Sequence, residues 1–309
     1  METLNVRPLL KWVGGKRQLL PHLRRFYPAT FNRYLEPFLG SGAVFFDLYR
    51  AGRLRDRDVV LIDSNPDLIG CYESVRDHPD AIARALDDLA AAHARGGPRH
   101  YYEVRDARFN PLREARRAPD GRIAYTPELA AMLIYLNRTG FNGLFRVNAS
   151  GAFNVPAGRY ERPRIVDRSR LLQVSQAFSS PRVRLEYGSF ETVDALAGPG
   201  DFLYVDPPYA PVSRTANFTG YTSSPFDTRH QRRLQQLVLS LARRGSYVLL
   251  SNSTAGEIVG LYDRNDRARR AGLRAHRVES RRAVNSNPAR RGVVDEFLIS
   301  NVEPLTRPS

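Results

Sequence analysis

Cysteine is nearly absent from this sequence. The 309 residues hold one, Cys71. An intrachain disulfide is therefore impossible, and a cysteine-built zinc site is disfavoured. Long apolar runs are missing as well. Stretches such as Val59-Val60-Leu61-Ile62 fall far short of the ~20 residues that a membrane span requires. The opening residues, Met1-Glu2-Thr3-Leu4-Asn5, lack a basic region followed by an apolar one, so no secretory signal is expected. The expectation is a soluble, cytoplasmic chain with no membrane partner. Acidic residues are scarce relative to basic ones. Lys and Arg total 47 against 32 Asp and Glu, a net charge of +15, and most of the surplus is arginine. Such a surplus favours a polyanion, and nucleic acid is the commonest one. A coding bias that places arginine over a solvated surface would give the same composition, so charge alone leaves the point open. Hydrophobic residues at 42% and charged residues at 26% suffice for a packed core. The length suits two domains, or one large α/β domain with an insertion.

The pattern along the chain is α/β, interrupted. Tyr34-Leu35 reads as a short strand, Gly40-Ser41-Gly42 as a tight turn, and Ala43–Tyr49 as a helix. Val59–Ile62 reads as a buried strand that ends at Asp63. A helix follows Asn65-Pro66, and another is expected over about 80–93, with Ile82, Ala85, Leu86 and Leu89 on one face. Residues 94–127, rich in arginine and weak in periodicity, read as loop. Thr126 caps a helix with Pro127 in its first turn and Leu129, Met132, Leu133 and Leu136 on one side. Residues 141–160 suit a β-hairpin. The α/β rhythm then returns. A helix is expected at 168–178, strands at Val183–Tyr187 and Phe202–Val205, a helix at 228–243, and a strand at Tyr247–Leu250. Two antiparallel strands near 273–284 and 293–300 complete the set.

Four groups of residues carry chemistry. Pro37-Phe38-Leu39-Gly40-Ser41-Gly42 places two glycines between a strand and a helix, where backbone can approach a ligand closely. A dinucleotide fingerprint would want a third glycine at position 45. Phe45 stands there, which counts against a nicotinamide dehydrogenase. Asp63 ends the next strand, where a carboxylate can accept bonds from both hydroxyls of a ribose; a turn-forming aspartate is the plainer reading. Asp206-Pro207-Pro208-Tyr209 follows the most apolar strand. Its prolines stiffen the chain and remove two N–H donors. What is left is carbonyl acceptors, a carboxylate and an aromatic ring, a set suited to a flat heterocycle with an exocyclic amino group. Lys11-Trp12-Val13-Gly14-Gly15-Lys16 holds the sole Trp, which could equally be core or cover a ligand. No convincing cluster of metal ligands is present.

The blocks KWVGGK, EPFLGSGAVF, LIDSN, YLNRTGFNGLFRVN, GAFNVPAGRY, YVDPPYAP, ANFTGY and LLSN occur in that order. The sequence closely resembles the Dam-type DNA adenine-N6 methyltransferases, the D12 class with α-group motif order, from about Leu10 to Phe297. The resemblance implies an S-adenosylmethionine-dependent methyltransferase fold, a seven-stranded mixed sheet flanked by helices. A mainly helical DNA-binding domain carrying a β-hairpin is inserted in it. Residues 1–65 and 175–309 would form the catalytic domain and 66–174 the target-recognition domain. It implies S-adenosylmethionine as methyl donor without a metal, duplex DNA as partner, a monomer in solution, and transfer to N6 of a flipped adenine in a GATC-like site. By resemblance Trp12, Lys16, Phe38, Gly40, Gly42, Asp63 and Asp206 face the cofactor, and Asp206, Pro207 and Tyr209 receive the adenine. Lys11, Arg138, Phe141, Asn142, Leu144, Arg146 and Pro156 match the DNA-reading positions. Phe141 stands where the family often has tyrosine, which keeps the ring and loses the hydroxyl. Arg146 is the candidate for a bidentate guanine contact. Arginine-rich stretches at 99–122 and 264–277 depart from the family. Two other readings stay open: methylation of an RNA base or a protein amide, and a catalytically silent DNA-binding protein.

Overall fold

The computed structural model describes residues 6–12, 14–211, 226–281 and 293–305. Val13, the block at 216–221 and the end of the strand expected near 273–284 lie outside the described residues. Seven strands form one sheet: β1 (Tyr34–Glu36), β2 (Val59–Asp63), β3 (Val183–Tyr187), β4 (Phe202–Val205), β5 (Tyr247–Ser253), β6 (Arg274–Arg281) and β7 (Val293–Ser300). Their order is β3-β2-β1-β4-β5-β7-β6. The first five run parallel, and β7 lies antiparallel between β5 and β6. The sheet is thus mixed and seven-stranded, as the resemblance implies.

Strands covered on both faces read as nearly continuous apolar runs. In β4 all four residues are buried, and so are the first four of β2. Alternate residues feed two cores. Tyr34, Val59, Leu61, Phe202, Tyr204 and Leu249 face one. Leu35, Val60, Ile62, Leu203, Val205 and Leu250 face the other, where helix Thr228–Arg243 lays down Leu234, Leu237, Val238 and Leu241. The first core receives the helix Ala43–Arg50 and nearly everything between β2 and β3. That region comprises α1 (Pro66–Asp77), α2 (Pro79–Tyr102), α3 (Asn110–Ala115), α4 (Pro127–Thr139) and α5 (Arg168–Phe178). Thr126 accepts from Leu129 N as an N-cap should, and Asn65 caps α1 through Asp67 N and Leu68 N.

Two expectations differ from the structure. Residues 94–127 are helical over much of their length. At Gly97 the backbone turns to φ +50°, which lets Pro98 start a second helical segment within α2. A π-helical stretch, Glu103–Phe109, continues into α3. The wider π turn spoils the 3.6-residue spacing, which hides the buried Tyr101, Val104 and Phe109 from a periodicity reading. Residues 141–160 contain no assigned strand. Their pairing rests on the isolated bridges Val147↔Phe153 and Gly140↔Ala157, with Asn148 N to Ala152 O and Asn154 N to Arg146 O flanking the first and Phe141 N to Pro156 O beside the second. Glycines at 143 and 151, both at positive φ, bend the segment too often for a regular ladder.

Candidate active site

Strand order reverses between β1 and β4, so the loops that leave their carboxyl ends diverge and open a crevice. Both motifs emerge there. After β1, Gly40 and Gly42 take φ +49° and +69°. A Cβ on Gly40 would lie 3.2 Å from the Trp12 ring, so the turn is shaped to receive that indole. Asp63, at the end of β2, holds the loop: its Oδ2 accepts from Gly40 N and its Oδ1 from Asn65 N, each at 2.9 Å. Tyr72 on α1 donates to Gly40 O. Burial pushes the Asp63 carboxyl up to about 6, against the opposing pull of these backbone N–H groups. Phe38 lies on the other side of the loop, stacked on Phe190 at 5.4 Å and meeting Phe226 edge-on.

Lys16 reaches the second motif. Its ammonium is 2.8 Å from Asp206 Oδ1, donates to Gly14 O at 2.6 Å, and stands 4.7 Å from the centre of the Tyr209 ring. Lys16 is only 6% exposed. Ser251 on β5 also donates to Asp206 Oδ1, and Tyr204 on β4 pairs with Ser251. Burial raises the Asp206 carboxyl, while Lys16 and Ser251 oppose that rise. The Tyr209 hydroxyl donates to Glu296 on β7 at 2.5 Å. The loop backbone is fixed by Gln231, which donates to Pro208 O, and by Ser253, which donates to Ala210 O. The Pro207 carbonyl and Asp206 Oδ2 have no bonded partner among the described residues. A rigid carbonyl and a carboxylate oxygen beside an aromatic ring can together accept two N–H bonds from a flat base.

The remaining sequence candidates gather along the segment that follows α4. Lys11 is joined to α4 through Asn137, whose Oδ1 accepts from Lys11 N and whose Nδ2 donates to Lys11 O. The Lys11 ammonium lies over the Tyr160 ring. Phe141 is 44% exposed, a large apolar side chain left in solvent. Asn142 beside it is exposed at φ +54°. Arg146 is exposed and held by Asn154 Oδ1 at 2.8 Å. Pro156 is exposed, and its carbonyl accepts from Phe141 N. Leu144 is half-buried against the core. Arg138 is placed differently from the rest: half-buried, it donates to Leu9 O at 2.7 Å. Trp12 ties this segment to the crevice, stacked on Phe145 at 5.5 Å.

Several contributors to the crevice escape a reading of motifs. Glu296 and Ser251 come from strands far along the chain, and only the LLSN block pointed near the second. Phe190 follows β3 in a short Gly188-Ser189-Phe190 turn without a distinctive pattern. Glu36, buried at the end of β1, accepts from Tyr34 Oη at 2.8 Å and is raised well above the usual carboxylate range by burial. Its place just before Pro37 was the available signal.

Comparison with known proteins agrees with this geometry. The family model for D12 class N6 adenine-specific DNA methyltransferases matches residues 12–284. The chain is 36% identical over 303 residues to "Type II methyltransferase M1.LlaDCHI" of Lactococcus lactis, with 96% of each chain covered. It is 34% identical over 312 residues to "Type II methyltransferase M.MjaIII" of Methanocaldococcus jannaschii, with 96% of this chain and 100% of that protein covered. It is 33% identical over 294 residues to "DNA adenine methylase" of Escherichia coli, with 94% of each covered. With the switch-point crevice, the glycine turn and the Asp206-Pro207-Pro208-Tyr209 loop in place, the chain belongs to the D12 class of N6 adenine-specific DNA methyltransferases.

Proposed function

We propose that the protein transfers a methyl group from S-adenosylmethionine to N6 of an adenine rotated out of duplex DNA, at a short GATC-like site. The observation that carries this reading is the buried Asp206 carboxylate, held by Lys16 and Ser251 through Oδ1, in one loop with the Pro207 carbonyl, which has no bonded partner among the described residues, and with Tyr209. An adenine amino group is a poor nucleophile because its lone pair is delocalised into the ring. Accepting both N–H bonds, Asp206 and Pro207 draw N6 towards tetrahedral geometry and free that lone pair. Fixed acceptors and in-line placement then carry the catalysis. Extruding the base costs a few kcal/mol of unstacking, which the Tyr209 ring offsets in part. Lys16 satisfies Asp206 in this state and must share it when a base enters.

The residues of the crevice fit the methyl donor. Gly40 keeps a cradle clear beside Trp12, and the Asp63 oxygens keep lone pairs for ribose hydroxyls. S-adenosylmethionine supplies an electrophilic sulfonium methyl when bound. In this reading Trp12, Lys16, Phe38, Gly40, Gly42 and Asp63 line its site. Residues 66–174 serve as the recognition insert within a catalytic domain of 1–65 and 175–309. Lys11, Phe141, Asn142, Leu144, Arg146 and Pro156 read or open the duplex. Arg138, turned inward, supports that surface from behind.

Incubation with random-sequence duplex DNA and labelled S-adenosylmethionine, followed by modification-sensitive sequencing, tests the reading. Methyladenine in a defined short site is expected, with RNA and protein unlabelled. Asp206→Asn, which leaves an oxygen acceptor for the buried Lys16 ammonium, is expected to abolish transfer in a protein that still melts cooperatively; near-normal turnover of that variant would refute the role.

A further inference from the structure

The arginine-rich stretch at 99–122 has a definite task in the structure: it grips the backbone of the segment that carries Arg146. Tyr101 Oη and Arg105 Nη1 donate to Val155 O at 2.9 and 3.0 Å. Asn110 makes two bonds to Phe153, Nδ2 to its carbonyl at 3.0 Å and Oδ1 from its N–H at 2.8 Å. Arg113 Nη1 donates to Gly151 O at 2.7 Å. The other two guanidinium nitrogens of Arg113 clasp Asp67, Nε to Oδ1 at 2.5 Å and Nη2 to Oδ2 at 2.7 Å. Tyr125 adds a third bond to that carboxylate. Asp67 lies in the first turn of α1, four residues beyond Asp63. Arg113 is 4% exposed and Asp67 1%. One buried guanidinium therefore spans the helix that leaves the donor crevice and the tip of the exposed loop.

We propose that Arg113 is a positioning residue that fixes the recognition loop relative to the methyl-donor pocket, so that reading a site and presenting its adenine stay in register. This rests on the function proposed above. A buried ion pair is a poor device for stability alone, because desolvating both charges offsets most of their attraction. Its geometry is what an apolar pair cannot reproduce. The planar fork of arginine directs three bonds in fixed directions, two to Asp67 and one to Gly151, and lysine cannot replace it. Opposite the fork, Asn148 Oδ1 closes the loop tip by accepting from Ser150 N and Ala152 N. The tip is thus tied together, and Arg146 is tied to its flank through Asn154.

Arg113→Lys keeps a cation opposite Asp67 and gives up the reach to Gly151. Asn110→Ala loosens the same loop without touching the buried pair, and it serves where Arg113→Lys folds poorly. Three measurements on the full chain decide: hydrogen exchange over 148–155, the ratio of methylation at the preferred site to single-mismatch sites, and S-adenosylmethionine affinity. Faster exchange is expected in both variants. Discrimination is expected to fall roughly ten- to a hundredfold, the size of one lost bidentate base contact, with donor affinity unchanged. Unchanged exchange overturns the proposal, and so does intact discrimination. A fall of discrimination in step with donor affinity marks general damage and overturns it as well. If the unaltered protein methylates no duplex DNA, the function reading fails, while the exchange data still decide whether Arg113 holds the loop.

Discussion

Lys11 and Lys16 are the sole lysines in a chain with 47 basic side chains; every other one is arginine. Whatever drives arginine elsewhere, these two positions keep a compact ammonium. The Lys16 site explains why for that residue. Its ammonium fits among Gly14 O, Asp206 and the Tyr209 ring in a nearly sealed space, where a guanidinium is too broad. Lys16→Arg, although it conserves charge, is expected to lower kcat/KM by roughly a hundredfold, and steady-state kinetics check it. Asp63 predicts a pH response. Protonation replaces an acceptor by a donor, so S-adenosylmethionine affinity should weaken as pH falls through about 6. Stability moves the other way. A buried carboxyl with a raised pKa binds its proton more tightly folded than unfolded, so ionising it costs stability above about 6. That cost fades as pH falls towards the ordinary carboxylate range. Calorimetric titrations and melting curves over the same pH range would show the opposed trends.

At the scale of elements, capping chemistry was plain in the sequence and bridging chemistry was not. Thr126-Pro127 and Asn65-Pro66 announce their helices because a cap is a local bond between near neighbours. Asn65 also donates its N–H to Asp63, so the cap and the crevice share a residue. Asn65→Ala is expected to cost about 1 kcal/mol of stability and to weaken donor binding, read by thermal melts and titration. The glycine turn, Asp63 and the Asp206 loop were legible for the same local reason. The helical character of 94–115 was not. Gly97 and Pro98 look like punctuation, and only tertiary burial of Tyr101 and Phe109 makes them a joint between helical segments. Tyr209's partner Glu296 is 87 residues away, and no spacing rule reaches that far. The loop at 141–160 was legible as a turning chain but not as one clamped from below, since its clamp lies in the stretch that looked least structured.

At the scale of the molecule, two cores on opposite faces of one sheet leave its carboxyl edge as the place where loops converge. The chain carries a net charge of +15, although many of its arginines are engaged by carboxylates, as Arg182 is with Asp58 and Arg244 with Asp194. DNA affinity should therefore fall with salt, log K dropping by ~0.9 for each phosphate neutralised. Filter binding from low to moderate salt measures the slope, and a flat line would show the surplus is not used on DNA. Trp12, the sole tryptophan, sits where the glycine turn meets Phe145. All indole emission of the protein thus originates at one junction, and a single optical signal, free of background from other tryptophans, is expected to change when S-adenosylmethionine or DNA is added, if the proposed sites are the right ones.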